Sequence, residues 1–240
     1  MNPALTIARK EYSLSLRATG TYVVFAIFLV AAGAYFSLTA LKVGLADLRA
    51  TFNWMHLLFL IYVPAITMGS IARERSGGTL ELISTLPLKL RHIVWGKFLA
   101  AWLLLATVLA FTLVLVVLLA VFGIGVDFGA LALGYLGLLC AGGAFIAIGL
   151  FASSLSSNQV LVFLTALAVC GVFFLLGRLG GLISVPLFNA ISWLGFDYHL
   201  ENFLKGVLDT RDLLYFGVVA YIFTLLAELH LQSQNLMQER

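Results

Sequence analysis

The chain has 240 residues, 62% of them hydrophobic and only 10% charged, with a mean hydropathy of +1.07 and a formal net charge of +3. Soluble domains carry roughly 25% charged residues, so a chain this apolar lacks the polar surface to face water and takes lipid as its solvent. The small, scattered positive charge excludes a nucleic-acid footprint and fits a membrane protein with one basic side.

In chain order, residues 2–18 are the first expected element, a helix with Leu5, Ala8, Tyr12 and Leu16 spaced for one face and Arg9, Lys10 and Arg17 beside them. Such a helix lies in the membrane interface, within residues 1–20, either as a plain anchor or as an anchor that also touches a partner. Its basic cluster is followed by a full-length apolar run with no small-residue cleavage site, so it does not read as a secretory signal. A span needs roughly 20 apolar residues to cross about 30 Å of hydrocarbon. There the backbone must satisfy its own hydrogen bonds, which makes each such run a helix. Six runs qualify: residues 21–41, 54–71 with a kink at Pro64, 98–122, 128–151, 160–179 and 213–231.

An even number of spans puts both termini on one side, together with the segments after the second and fourth spans. Those segments hold nine of the Lys and Arg residues (Arg9, Lys10, Arg17, Arg73, Arg75, Lys89, Arg91, Lys97, Arg240) against five on the other side. The bias turns the first set toward the cytoplasm. Six acids, Asp47, Asp127, Asp197, Glu201, Asp209 and Asp212, fall on the outer side.

The fourth span is rich in small residues at four-residue spacing: Ala130 and Gly134, Gly137 and Ala141, Gly143 and Ala147. In lipid this pattern lets helices approach closely, whether inside one subunit or at a dimer seam. Residues 180–212 form an outer segment. Its apolar first part, around Pro186, is too short to span, and either re-enters the outer leaflet or caps the helices. The second part reads as an amphipathic surface helix with Leu200, Phe203, Leu204, Val207 and Leu208 on one side.

The sequence offers little catalytic chemistry. The one Gly-Lys pair, Gly96 and Lys97, is followed by Phe98, so there is no P-loop. His56, His92, His199 and His230 lie far apart, no His-Glu-x-x-His or paired-Cys spacing occurs, and no metal site is expected. Cys140 and Cys170 fall inside spans as small buried residues. Ser153, Ser154, Ser156 and Ser157 follow the fourth span and read as a turn. The spans hold almost no charge; Glu228 and Arg178 sit near span ends, where they reach the interface. Without a buried carboxylate for proton coupling, any energy for transport comes from outside this chain.

Residues 72–97 are the longest and most charged cytoplasmic connection. Gly77 and Gly78 break the chain, and TLELISTL then has helix-forming content until Pro87 stops it. Leu80, Leu82, Ile83 and Leu86 are too apolar for a free loop, and Glu81 and Thr85 form a polar pair. Flanked by Arg73, Glu74, Arg75 and Arg91, this short helix either seats in another protein's groove or folds back as a corner on its own spans.

The run RERSGGTLELISTLPLKLRHIVWGKFLA resembles the cytoplasmic loop of ABC type-2 permeases, with Glu74, Arg75, Gly78, Thr79, Leu80, Glu81, Leu82, Thr85, Leu86, Pro87, Ile93, Gly96 and Lys97 carrying the match. HLENFLKGVLDTRDLLYF resembles the outer segment before the last span in the branch of gliding-motility and nitrous-oxide-reductase maturation permeases (GldF/NosY). His199, Phe203, Gly206, Asp209, Arg211, Asp212 and Phe216 carry that match. The opening ARKEYSLSLRATGTYVV is similar to the start of the same branch at Lys10, Glu11 and Tyr22, whereas the end, with Glu228 and His230, departs from it.

The resemblance implies an all-α, polytopic bundle of six transmembrane helices forming one permease domain over residues 1–240. It implies an interfacial N-terminal helix, a cytoplasmic coupling helix between spans two and three, and an outer re-entrant or capping segment before span six. The implied partners are an ATP-binding cassette ATPase, a second permease chain (identical or related), the lipid bilayer and an extracytoplasmic accessory protein. ATP and magnesium belong to the ATPase, leaving this chain without a cofactor. Residues 73–75, 78–83 and 85–87 are the expected coupling set, in the cytoplasmic membrane of a cell, relaying ATP energy to export. A relay of motion to an outer partner without solute passage is the alternative.

Overall fold

The apolar runs are helices in the computed structural model, which describes residues 3–43, 47–78, 89–123, 126–179 and 192–238. In chain order these are α1 (Pro3–Arg17), α2 (Thr19–Val43), α3 (Arg49–Thr67), α4 (Ala72–Ser76), α5 (Leu90–Phe122), α6 (Phe128–Leu155), α7 (Gln159–Leu179), α8 (Phe196–Leu204) and α9 (Thr210–Gln238). No strand occurs among the described residues. Six of the helices are long and apolar enough to cross a membrane, so the all-helical, multi-pass reading of the sequence holds.

α6 sits at the centre. In its most apolar window 67% of residues are buried inside the chain, against 22–50% for the other spans. It touches α3, α4, α5, α7, α8 and α9, and its small residues make those approaches possible. A Cβ added at Gly134 meets the Phe52 ring at 2.4 Å, one at Gly137 meets Phe203 at 2.6 Å, and one at Gly142 meets Leu105 at 2.1 Å. Gly143 faces Trp102 at ordinary contact distance, while Ala141 and Ala147 are fully buried. At one end Ala130 lies against Gly206, 3.1 Å from the Cβ that glycine lacks. The outward faces of the other spans are apolar and exposed, as at Ile27, Val30, Phe111, Val121 and Val172, which is the pattern of a surface solvated by lipid.

Boundaries differ from the sequence reading in instructive ways. α5 begins at Leu90, not at 98; its 33 residues run about 50 Å, well beyond a hydrocarbon thickness of about 30 Å. α3 passes through Pro64 and stops at Thr67, where the chain turns through Met68–Ile71 instead of remaining helical to 71. On α1 the buried face is Ala4 and Ala8, with Tyr12 and Leu16 packed on the core; Leu5, expected on that face, is 59% exposed. This face lies along α5, where Ile7 covers Gly96 and the Tyr12 hydroxyl bonds the Thr107 hydroxyl at 2.8 Å. Ser153 and Ser154 are inside α6 and fully buried, not in a turn after it.

α8 corrects the expected surface helix. It buries Phe196, His199, Leu200, Phe203 and Leu204 against α6, α7 and α9. The helix ends at Leu204, however, so Val207 and Leu208 leave its face and are exposed. The stop is a glycine turn: Gly206 has φ +80, its N–H bonds the Phe203 carbonyl, and the Val207 N–H bonds the Asn202 carbonyl. That pair of bonds is the Schellman arrangement, which favours glycine at the left-handed position. The first part of the outer segment, residues 180–191, lies outside the described residues.

Candidate functional site

Two polar clusters interrupt the apolar bundle, one at the end that carries α1 and α4, the other at the end that carries α8. At the α1 end the organising group is Lys97, about two turns into α5 and only 4% exposed. Its ammonium donates to the Ser70 carbonyl at 2.7 Å and to Glu74 Oε1 at 2.6 Å, and lies 3.6 Å from Glu11 Oε1. A buried cation needs such oxygens around it, since desolvation would otherwise disfavour the charge. Through this one side chain α1, the α3–α4 turn, α4 and α5 are joined.

α4 is tied a second time, to α6. Ser153 Oγ accepts from the backbone N–H groups of Ile71 and Ala72 at 3.0 and 3.1 Å and donates to the Met68 carbonyl. Two amides that a helix start leaves without intrahelical partners are thus satisfied by a side chain from another helix. Arg75 donates to the Ser154 carbonyl at 3.0 Å and to the Gln234 side chain of α9. Arg73 is exposed, with its guanidinium folded over Gly69. α4 ends at Gly77 and Gly78, the latter at φ +68. Of the expected coupling residues, Arg73, Glu74, Arg75 and Gly78 therefore sit on or just after α4. Thr79, Leu80, Glu81, Leu82, Ile83, Thr85, Leu86 and Pro87 lie outside the described residues.

At the α8 end, Asp197 of α8 joins three elements. Its Oδ1 lies 2.8 Å from His56 Nδ1 of α3, close enough for an ion pair though not aligned as a hydrogen bond, and its Oδ2 accepts from Arg178 Nε of α7 at 2.5 Å. Burial raises the Asp197 carboxyl, but the His56 contact and then the Arg178 guanidinium outweigh it and hold the group below the usual carboxylate range. His56 is fully buried among the Phe59, Phe145 and Phe174 rings. The Arg178 guanidinium also lies 4.3 Å over the Phe174 ring.

Beside this, His199 Nδ1 lies 2.6 Å from Asp212 Oδ1 and its Nε2 lies 2.8 Å from the Trp193 carbonyl. The imidazole is thus held between two oxygens, one from a side chain and one from the backbone. Asn202 donates to the other Asp212 oxygen at 2.7 Å, and the Tyr215 ring stacks on His199 at 3.8 Å.

Of the residues singled out in this segment, His199 and Asp212 meet directly and Phe203 packs into the notch at Gly137. Gly206 makes the turn. Asp209 caps α9 by accepting from the Arg211 N–H at 2.9 Å, and Arg211 itself is exposed.

Gln234 takes part in these clusters without having been noted in the sequence; Lys97 and Glu11 were noted only as positions of the family match, Arg178 as a span-end charge, Ser153 as turn chemistry, and His56 and Asp197 only in passing, none of them as members of a site. A signal existed for His56, a polar residue inside the apolar run WMHLLFLIYVP, since polar groups within spans mark function or pairing. Among the described residues no group of His, Cys, Asp and Glu is arranged to hold a metal ion.

No curated protein matches the chain. A family model described as ABC-2 family transporter protein matches residues 42–198, from the end of α2 into α8. That match covers well over half of the 240 residues. The chain is therefore a member of the ABC-2 transporter family, a family of membrane components of transporters that are not themselves catalytic.

Proposed function

We propose that this chain is the permease subunit of an ATP-driven exporter of the gliding-motility and nitrous-oxide-reductase maturation branch, working with a separate cassette ATPase and a second permease chain in the cytoplasmic membrane, both termini inside. The observation that carries the reading is the attachment of α4. This helix of five residues is bonded to α5 through Lys97, to α6 through Ser153 and Ser154, and to α9 through Gln234. A force applied to the segment that follows it, residues 79–87, is delivered to three spans and, by way of Glu11, to α1.

The reading assigns ATP binding to the partner because the chain has no P-loop. Apolar Leu80, Leu82, Ile83 and Leu86 supply a face for a groove on the ATPase, and Arg73 and Glu81 supply charges at its rim. The small-residue positions of α6 from Ala130 to Ala147 serve packing within the subunit. A subunit that relays motion to an outer partner without passing a solute shares all these parts; the contacts that tie Asp197 of α8 to buried His56 and to exposed Arg178 at the end of α7 favour a firmly held outer surface for such a partner. The test is a pull-down of the full chain in mild detergent with candidate cassette ATPases of the same cell, followed by ATP turnover with Leu82→Asp and Glu81→Lys variants. Loss of association and of stimulated turnover is expected; normal values for both variants overturn the assignment. Cargo movement into liposomes separates export from relay.

A further inference from the structure

A cleft of about 440 Å³ opens between α1, the start of α2, the α3–α4 turn and α5. Its size is that of a small-molecule site. Small residues keep it open: Ala18 and Gly20 line it, and a Cβ added at Gly20 would meet nothing within 4 Å. The deep wall is apolar, built from Val24, Ile66 and Leu104. The mouth carries Lys10 and Arg73, both exposed and, among the described residues, without an acidic partner at ion-pair distance. Glu11 and Glu74 also border the cleft, but both face Lys97. The four charged side chains of the lining balance, and Lys97 behind the two carboxylates leaves one net positive charge in the cluster. Next to the mouth, α2 turns Tyr22, Val23 and Ile27 outward as exposed apolar surface, and Leu14 of α1 is half exposed.

A cavity with an apolar wall, two uncommitted cations at its rim and a lipid-facing helix beside it matches an amphiphile with an anionic head. We propose that this cleft binds one anionic phospholipid from the leaflet on the α1 side, with its phosphate at Lys10 and Arg73, the start of one acyl chain against the apolar wall of Val24, Ile66 and Leu104, and the other chain along α2. A free phosphate would use the cations but leave the apolar wall without a partner, and a zwitterionic lipid would bring its own cation to the mouth. The phosphate takes charge-assisted hydrogen bonds from a guanidinium and an ammonium, in a region where each basic side chain adds to the attraction of an anionic lipid.

The test uses the full chain in dodecyl maltoside micelles doped with dioleoyl phosphatidylglycerol or dioleoyl phosphatidylcholine, with retained lipid counted by native mass spectrometry. Phosphatidylglycerol is expected to be retained about tenfold better than phosphatidylcholine by the wild-type chain. The Lys10→Gln/Arg73→Gln double variant should lose that preference. Gly20→Leu, which fills the cleft with both cations kept, should lose retention of phosphatidylglycerol. Inorganic phosphate at millimolar concentration should not displace the lipid. Equal retention of the two lipids by the wild type, undiminished preference in the double variant, wild-type retention in Gly20→Leu, or displacement by inorganic phosphate would each overturn the proposal. None of these readouts involves an ATPase, so the result stands apart from the exporter reading.

Discussion

Lys97→Met removes the ammonium at the centre of the α1-end cluster while keeping an unbranched stem of similar length. The ammonium holds a carbonyl at 2.7 Å and a carboxylate at 2.6 Å, with a second carboxylate at 3.6 Å. Hydrogen bonds to charged groups contribute about 1.5–3 kcal/mol each, and stranding one partner of a buried pair costs about 3–5 kcal/mol. Glu74 and Glu11 keep 20% and 26% of their side-chain surface, so water softens the loss, and Glu11, too far for a hydrogen bond, adds under about 1 kcal/mol. The expected destabilisation is about 3 kcal/mol, a shift of roughly 150-fold in the folding equilibrium at 1.36 kcal/mol per decade.

The assay is reversible unfolding by dodecyl sulfate in mixed micelles, read by the fluorescence of Trp95 and Trp102 on α5. Glu74→Gln alone and the double variant complete a cycle. The double variant should recover at least about 1.5 kcal/mol relative to the sum of the singles, because it removes the stranded carboxylate. A Lys97→Met chain within about 0.5 kcal/mol of wild type, or strict additivity, would show that this junction does not hold α4 to α5.

Other consequences can be read the same way. Gly206→Ala places a side chain at φ +80 and against Ala130, and should cost about 1–2 kcal/mol in the same unfolding measurement. Ser153→Ala leaves the Ile71 and Ala72 amides without their buried acceptor and should cost about 1–3 kcal/mol; Ser153→Thr, with the hydroxyl kept, should lose less. Gly134→Leu must displace the Phe52 ring and should destabilise by about 1–3 kcal/mol or more. The Asp197 carboxyl is lowered in the folded chain. Its stabilising effect is therefore fully present above the ordinary carboxylate range and is lost as pH falls through the lowered value. Melting temperature followed from pH 7 down to pH 3 should drop on the acid side, and Asp197→Asn should flatten that drop.

Much of the architecture was legible because lipid imposes it: a run that must satisfy its own backbone in hydrocarbon has one available form, and α2, α3, α5, α6, α7 and α9 follow from that. The start of α5 was misplaced because Arg91, His92 and Lys97 look like loop residues when counted as charges. On the structure Lys97 is a buried helical residue with its oxygens supplied by elements far away in sequence. The face of α8 was read correctly through Leu204 and wrongly at Val207 and Leu208, because periodicity continues through a glycine whose turn the backbone uses to stop. His199 and Asp212 were noticed through a family resemblance, and their contact needs the folding of α8 onto α9. His56 and Asp197 could not be paired from sequence at all, as nothing local relates the middle of α3 to the first turn of α8. Ser153 looked like turn chemistry, yet its hydroxyl serves the start of another helix.

The position of α6 has one further consequence. A ring of helices can leave a bore along its axis, but here the most buried helix of the chain packs against six other elements and occupies the middle. A molecule crossing the membrane with the help of this chain would have to travel along its flank, between one copy and another or between protein and lipid.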